Sequence, residues 1–125
     1  MNIRSLQRGL QYCDRVEAVR QTYHVFESPS YFFVLSFARA RTRRGSGYFN
    51  LVSKAAVQYI ERRLGGRRGV TANDVVAAAR RTRHIASRLF ALNVLYVLVA
   101  LKRASITRAG ENRQLFFALR KAPRR

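Results

Sequence analysis

The sequence is poor in acidic residues. Asp and Glu number 6 against 25 Lys and Arg, which leaves a formal net charge of +19 over 125 residues. Self-repulsion on this scale opposes compaction, so we expect a polyanionic partner that relieves it. RNA and DNA are the obvious polyanions, and anionic lipid surfaces come third. The same shortage leaves no paired carboxylates at a spacing that suits catalysis.

Lysine is also scarce, because 3 of the 25 basic residues are Lys and the rest are Arg. Arginine presents a planar fork of donors that suits phosphates and guanine edges. A GC-rich genome or a thermophilic source would produce the same ratio, but neither explains the shortage of acids.

A single cysteine, Cys13, excludes an intramolecular disulfide and a cysteine metal cluster. His24 and His84 are the only histidines, and with scattered acids they form no metal-binding pattern. The stretch "LGGRRG" lacks the spacing of a phosphate-binding loop. We therefore expect no metal, no cofactor and no enzymatic activity.

Long apolar runs are missing as well. The apolar block 89–101 contains Asn93 and is flanked by basic residues, whereas crossing a bilayer takes about 20 mostly apolar residues. Residues 1–10 lack the apolar core of a signal peptide. We expect a cytoplasmic, nucleoprotein-associated chain that does not enter a membrane.

Hydrophobic periodicity predicts a mostly helical α+β protein. An N-terminal helix is predicted over 3–26, and Pro29 ends it. The apolar stripe of this helix recurs at steps of three and four residues: Ile3, Leu6, Leu10, Cys13, Val16, Val19, Tyr23 and Phe26.

The aromatic segment 31–37 alternates as strands do, although a helix over 31–41 is the other interpretation. Arg39, Arg41 and Arg43 continue the alternation, and on an extended chain they would lie roughly 6–7 Å apart on one side, near the spacing of phosphates. Together with Arg44 they form either a phosphate-binding arm or a solvated basic loop, and the sequence leaves both open.

Three helices and a β-hairpin are predicted next. The segments are 48–64, 72–80, 82–102 and the hairpin 104–121, with a strand over 94–101 as an alternative to the end of the third helix. Thr71 is a good N-cap for the second helix. On the third, a stripe at helical spacing predicts the buried face: Ile85, Leu89, Leu92, Tyr96 and Val99.

This order of elements resembles a winged helix-turn-helix domain. The resemblance rests on "GVTANDVV", "RRTRHIASRLFAL" and "ITRAGENRQLFFAL". It covers about the last 75 residues and implies a nucleic-acid-binding domain over 48–121. The residue patterns divide the rest of the chain into 1–47, a helix plus an aromatic and basic extension, and 122–125, a basic tail. In such domains the recognition helix enters the major groove of DNA, and in ribosomal proteins the fold packs on RNA.

The resemblance implies a contact at the start of the third helix and on the hairpin. The implied contact residues are Arg80, Arg81, Arg83, His84, Ser87 and Arg88, with Arg108 and Arg113 on the hairpin. The apolar stripe favours the same surface, because it leaves these arginines outside. Loop and tail arginines extend the predicted interface: Arg67, Arg68, Arg124 and Arg125.

We therefore predict a non-catalytic nucleic-acid-binding protein, an RNA-bound structural component of a large ribonucleoprotein such as a ribosome, with neighbouring proteins as further contacts. The alternative is a winged-helix DNA-binding protein, which would be a regulator, a chromatin protein or a viral DNA-packaging protein. A third is an interaction protein that docks an acidic partner through 31–37. Basic segments that point in several directions favour the ribonucleoprotein.

Overall fold

The computed structural model describes residues 10–18, 21–37, 47–80, 82, 87–107 and 115–121. In chain order its elements are β1 (Gln11–Glu17), β2 (Thr22–Glu27), β3 (Tyr31–Phe37), β4 (Gly47–Ser53), α1 (Lys54–Leu64), α2 (Ala72–Ala78), α3 (Arg88–Ala100), β5 (Ala104–Thr107) and β6 (Phe116–Leu119). The first four strands form an antiparallel sheet in the order β1-β2-β3-β4, which we call the main sheet, and β5 pairs with β6 in a hairpin.

One face of the main sheet, its inner face, is buried against the helices. Val25 lies directly opposite Val34 in the register of β2 and β3, and both are fully buried, as is Val52 in β4. Alternate residues of a strand point to the other face. On that outer face Tyr12 and Leu51 keep 51% and 43% of their surface exposed.

The central helix of the fold is α3, which contacts all four strands of the main sheet and both other helices. Leu95 and Leu98 are fully buried. Tyr96 stacks on Tyr23 of β2 with ring centroids 4.3 Å apart. Such an apolar helix is typical of an element that is surrounded by protein.

Local caps fix where α1 and α2 begin. The Ser53 hydroxyl accepts from the backbone N–H of Ala56, and Thr71 forms a reciprocal capping box with Asp74. Between these helices the chain turns at Gly66, whose φ is 86°, a value that favours glycine. The turn returns the chain to the hairpin, where Val70 pairs with Phe117.

The prediction of a mostly helical chain with an N-terminal helix and a winged-helix-like C-terminal domain is wrong. The protein is α+β, and a four-stranded antiparallel sheet precedes the helices. The segment 3–26, which we predicted as a helix, contains β1 and most of β2. Three residues of its predicted apolar stripe lie outside the described residues, namely Ile3, Leu6 and Val19. The helical prediction failed because pairing with β3 outweighs local periodicity.

Other elements follow the predictions more closely. The strand over 31–37 and the hairpin within 104–121 are observed. The helix predicted from residue 48 begins at Lys54, because 47–53 form β4. The alternative strand over 94–101 is wrong, since these residues lie in α3 and the turn after it.

The stripe predicted to be buried on the third helix is also partly wrong. Leu89 is 62% exposed, whereas Ala91, Val94 and Leu98 are fully buried. None of the described helices is long and apolar enough to cross a membrane.

Candidate nucleic-acid interface

Each acidic residue that the structure describes is already engaged. Three form ion pairs that join distant elements: Glu27 with Lys54 at 2.6 Å, Glu61 with Arg103 at 3.3 Å, and Asp14 with Lys102. Glu17 lies 4.0 Å from Arg15 at the surface, and Asp74 caps α2. The described carboxylates therefore have little capacity left to neutralise the remaining cations.

Those remaining cations are exposed and lie beyond ion-pairing distance of every described carboxylate. They are Arg62, Arg63, Arg67, Arg68, Arg80, Arg88, Arg120 and Lys121. A protein surface of unpaired arginines suits a partner that brings its own negative charge.

Most of these cations lie where α1 ends and just after β6, at the open end of the hairpin. We call this group the α1-end patch: Arg62, Arg63, Arg67, Arg68, Arg120 and Lys121. Backbone bonds hold it together, because Leu119 donates to the carbonyl of Arg67 at 2.9 Å and Gly66 donates to the carbonyl of Leu119 at 2.9 Å. The loop after α1 is thereby fixed beside the last residues of β6.

The helix itself favours positive charge at this place. The carbonyl end of a helix carries a partial negative charge, which stabilises cations in its last turn. Arg62 and Arg63 occupy the last turn of α1. The backbone N–H of Arg120 donates to the carbonyl of Arg103 at 2.9 Å, so the Glu61–Arg103 ion pair stands beside the patch.

The structure places the predicted site residues in two regions. Arg67 and Arg68 lie in the α1-end patch. Arg80 follows α2 and Arg88 begins α3, and both are exposed. The Ser87 hydroxyl accepts from the backbone N–H of Phe90 at 3.1 Å and so caps α3.

Many predicted site residues lie outside the described residues: Arg39, Arg41, Arg43, Arg44, Arg81, Arg83, His84, Arg108, Arg113, Arg124 and Arg125.

Sequence reasoning missed Arg62, Arg63, Arg120 and Lys121 as site residues. The adjacent pair in "IERRL", Arg62 and Arg63, carried a usable signal, because the last turn of a helix favours cations. The pair in "LRK", Arg120 and Lys121, gave no such signal, since its proximity to residue 67 depends on pairing between distant segments.

The chemistry of the only cysteine argues against a nucleophile. Burial raises the pKa of the Cys13 thiol, and the nearby Glu27 carboxylate raises it further. Reactive cysteines need the opposite shift, since the thiolate is the nucleophile. Across the described ranges, no group of three or more His, Cys, Asp or Glu side chains is placed to hold a metal ion.

A cleft of about 200 Å³ opens beside two of the ion pairs. Its lining residues are Glu27, Phe32, Lys54, Val57, Gln58, Leu101 and Arg103. Both cations of the lining are already paired with carboxylates, so the cleft has no free positive charge with which to hold an anion.

No family model, no curated protein and no solved structure matches the chain. These comparisons therefore leave a relationship to winged helix-turn-helix proteins untested, whereas the mostly helical fold that it implied is contradicted by the main sheet.

Proposed function

We propose that the protein is a non-catalytic nucleic-acid-binding protein, and that its partner is RNA within a large ribonucleoprotein. The observation that carries this proposal is the α1-end patch: the described acids are engaged elsewhere, and the arginines of the patch lie together without an ion pair to any described carboxylate. Phosphates along a nucleic-acid backbone would neutralise them and release bound counterions.

RNA is favoured over DNA because exposed cations occur at more than one place on the fold. The α1-end patch lies among the helices and the hairpin, whereas Arg15 pairs in register with His24 on the outer face of the main sheet. A protein with polyanion on several sides suits an RNA-rich assembly, where neighbouring proteins would add contacts and the cytoplasm would be the compartment.

A titration tests the binding itself. A labelled structured RNA and a DNA duplex of equal length would be titrated with the protein at several salt concentrations. If six or more phosphates are neutralised, affinity should fall by about 10³-fold or more between about 50 and 200 mM salt. An affinity that hardly depends on salt would contradict the proposal.

Native purification tests the assembly. The protein should sediment with large particles, and ribonuclease should release it. Release by deoxyribonuclease instead would assign it to DNA and would contradict the choice of RNA.

A further inference from the structure

The register of the main sheet brings four large side chains into one row across its outer face. Tyr12 lies opposite Phe26, Phe26 opposite Phe33, and Phe33 opposite Leu51. Directly opposed residues of antiparallel strands share a face. We call these four residues the aromatic row, and at the usual strand spacing it extends over about 14 Å.

The row is accessible to a partner. Tyr12 at one edge and Leu51 at the other are 51% and 43% exposed, and Phe26 and Phe33 are half-buried. The Tyr12 ring meets Phe26 edge to face with centroids 5.2 Å apart, and its hydroxyl lies 3.1 Å from Nδ1 of His24. Tyr12 is thus held in place while half of its surface remains free.

The cation Arg15 lies next to the aromatic row on the same face of the sheet. Arg15 lies opposite His24, and His24 lies opposite Leu35, so a second row with a guanidinium at its edge runs next to the first. The Arg15 side chain is 65% exposed, and its contact with Glu17 at 4.0 Å is also exposed. Surface pairs of this kind are weak, so Arg15 remains able to bind a phosphate.

Neighbouring apolar side chains that remain partly exposed on one face are a feature of binding sites. The net charge of the chain indicates which partner would occupy this one. A second copy would bring another +19 of net charge to the same interface, which opposes face-to-face association. Single-stranded RNA brings phosphates for the arginine and unpaired bases for the rings. Aromatic side chains on an antiparallel sheet are a known surface for stacking bases.

We propose that the outer face of the main sheet binds single-stranded RNA, with unpaired bases stacked on Tyr12 and Phe26 and a phosphate on Arg15. This inference rests on the proposed function and specifies which part of the RNA is bound there. A duplex keeps its bases stacked inside, so it cannot use the rings and would bind through phosphate contacts alone, chiefly at the α1-end patch.

The test compares two probes and four variants. The probes are a labelled oligouridine of about 12 nucleotides, long enough to cross the sheet, and an RNA duplex of equal length. Tyr12→Ala removes the exposed ring, Tyr12→Phe keeps it, and Phe26→Leu replaces a ring by apolar bulk. Leu89→Ala is the matched control, because Leu89 is 62% exposed on α3 and outside the sheet.

Tyr12→Ala should lower the affinity for oligouridine by about 5- to 150-fold, the range found for the loss of one stacked base. Its affinity for the duplex and its salt dependence should equal those of the wild type, because the ring carries no charge. Phe26→Leu should also lower the affinity for oligouridine, and it remains informative if Tyr12→Ala does not fold. Leu89→Ala should bind as the wild type does, and Tyr12→Phe, which keeps the ring and loses only the hydroxyl contact with His24, should bind oligouridine much more tightly than Tyr12→Ala does.

The two proposals fail in different ways. If the wild type binds neither probe, the proposed function fails, and this inference fails with it. If the wild type binds both probes with a steep salt dependence and the ring variants change nothing, the proposed function stands and the inference is overturned. Loss of self-association in Tyr12→Ala, with RNA binding unchanged, would overturn it in favour of a second copy.

Discussion

Arg103 donates from Nη1 to the buried carboxylate of Glu61 at 3.3 Å. This ion pair joins the turn after α3 to the last turn of α1. The backbone carbonyl of Arg103 also accepts from Arg120, so one residue links both helices to the end of the hairpin. The pair therefore stabilises the scaffold of the α1-end patch.

Arg103→Ala should destabilise the protein by about 2 kcal/mol, because it leaves a buried carboxylate without its cation. The free energy of unfolding in urea measures this. Adding Glu61→Gln to Arg103→Ala should recover part of the loss, since the buried charge is then gone. Equal stability of the single and double variants would show that the ion pair does not couple the two elements.

A pair of leucines on α3 tests the observed packing of that helix. Leu95→Ala should cost about 2–5 kcal/mol, because Leu95 is fully buried and truncation leaves a cavity. Leu89→Ala should change the stability little, since Leu89 is 62% exposed. Thermal unfolding of both variants would measure the difference, and a similar loss in both would contradict the observed orientation of α3.

The leucines also show where the sequence misled the prediction. The stripe through Leu89 and Leu92 has helical spacing, which is correct for α3. However, the helix is apolar on most sides, so spacing alone cannot select the buried face. The contacts of α3 with the sheet and the other helices decide it, and these come from distant segments of the chain.

Strand prediction succeeded where the pattern is local and failed where it is not. The alternation and aromatic content of 31–37 predicted β3 correctly. Val16 and Tyr23 fit both a helical stripe and an alternating strand, so only their pairing with each other and with β3 decides the structure. The α1-end patch could not be predicted from local pattern either, because Arg67 and Arg120 are brought together by backbone hydrogen bonds between distant segments.

Acid should weaken the ion pair between Asp14 in β1 and Lys102 in the turn after α3. The hydrogen bond from Lys102 lowers the pKa of Asp14, and the backbone N–H of Arg15 lowers it further. A carboxyl whose pKa is lower in the folded state contributes stability above its ordinary pKa of about 3.9 and loses that contribution as the pH falls through the folded value.

Asp14→Asn should therefore remove part of the loss of stability on acidification. Melting temperatures of the wild type and of Asp14→Asn between about pH 7 and pH 2 would measure it, and Lys102→Gln should behave as Asp14→Asn does. The difference between the wild type and Asp14→Asn in this loss of stability should be smaller in high salt, because the Asp14–Lys102 ion pair lies at the surface. If the wild type and Asp14→Asn lose stability in parallel, this ion pair does not contribute.

Salt titrations of charge variants would test the α1-end patch directly. One variant combines Arg67→Ser with Arg120→Ser, which removes two cations of the patch. The matched control combines Arg80→Ser with Arg88→Ser, which removes two exposed and unpaired cations outside it. Both lose the same charge, and neither removes a side chain that is paired with a described carboxylate.

The patch variant should lower the affinity for RNA and reduce the slope of log affinity against log salt by about two units, or about one for each lost phosphate contact. The control should change the slope less, because net charge acts at long range and is screened, whereas a direct contact releases counterions. Circular dichroism would show that both variants are folded. Equal slopes for the two variants would mean that the patch has no special part in binding, because either RNA responds to total charge or Arg80 and Arg88 contact it as much as the patch does.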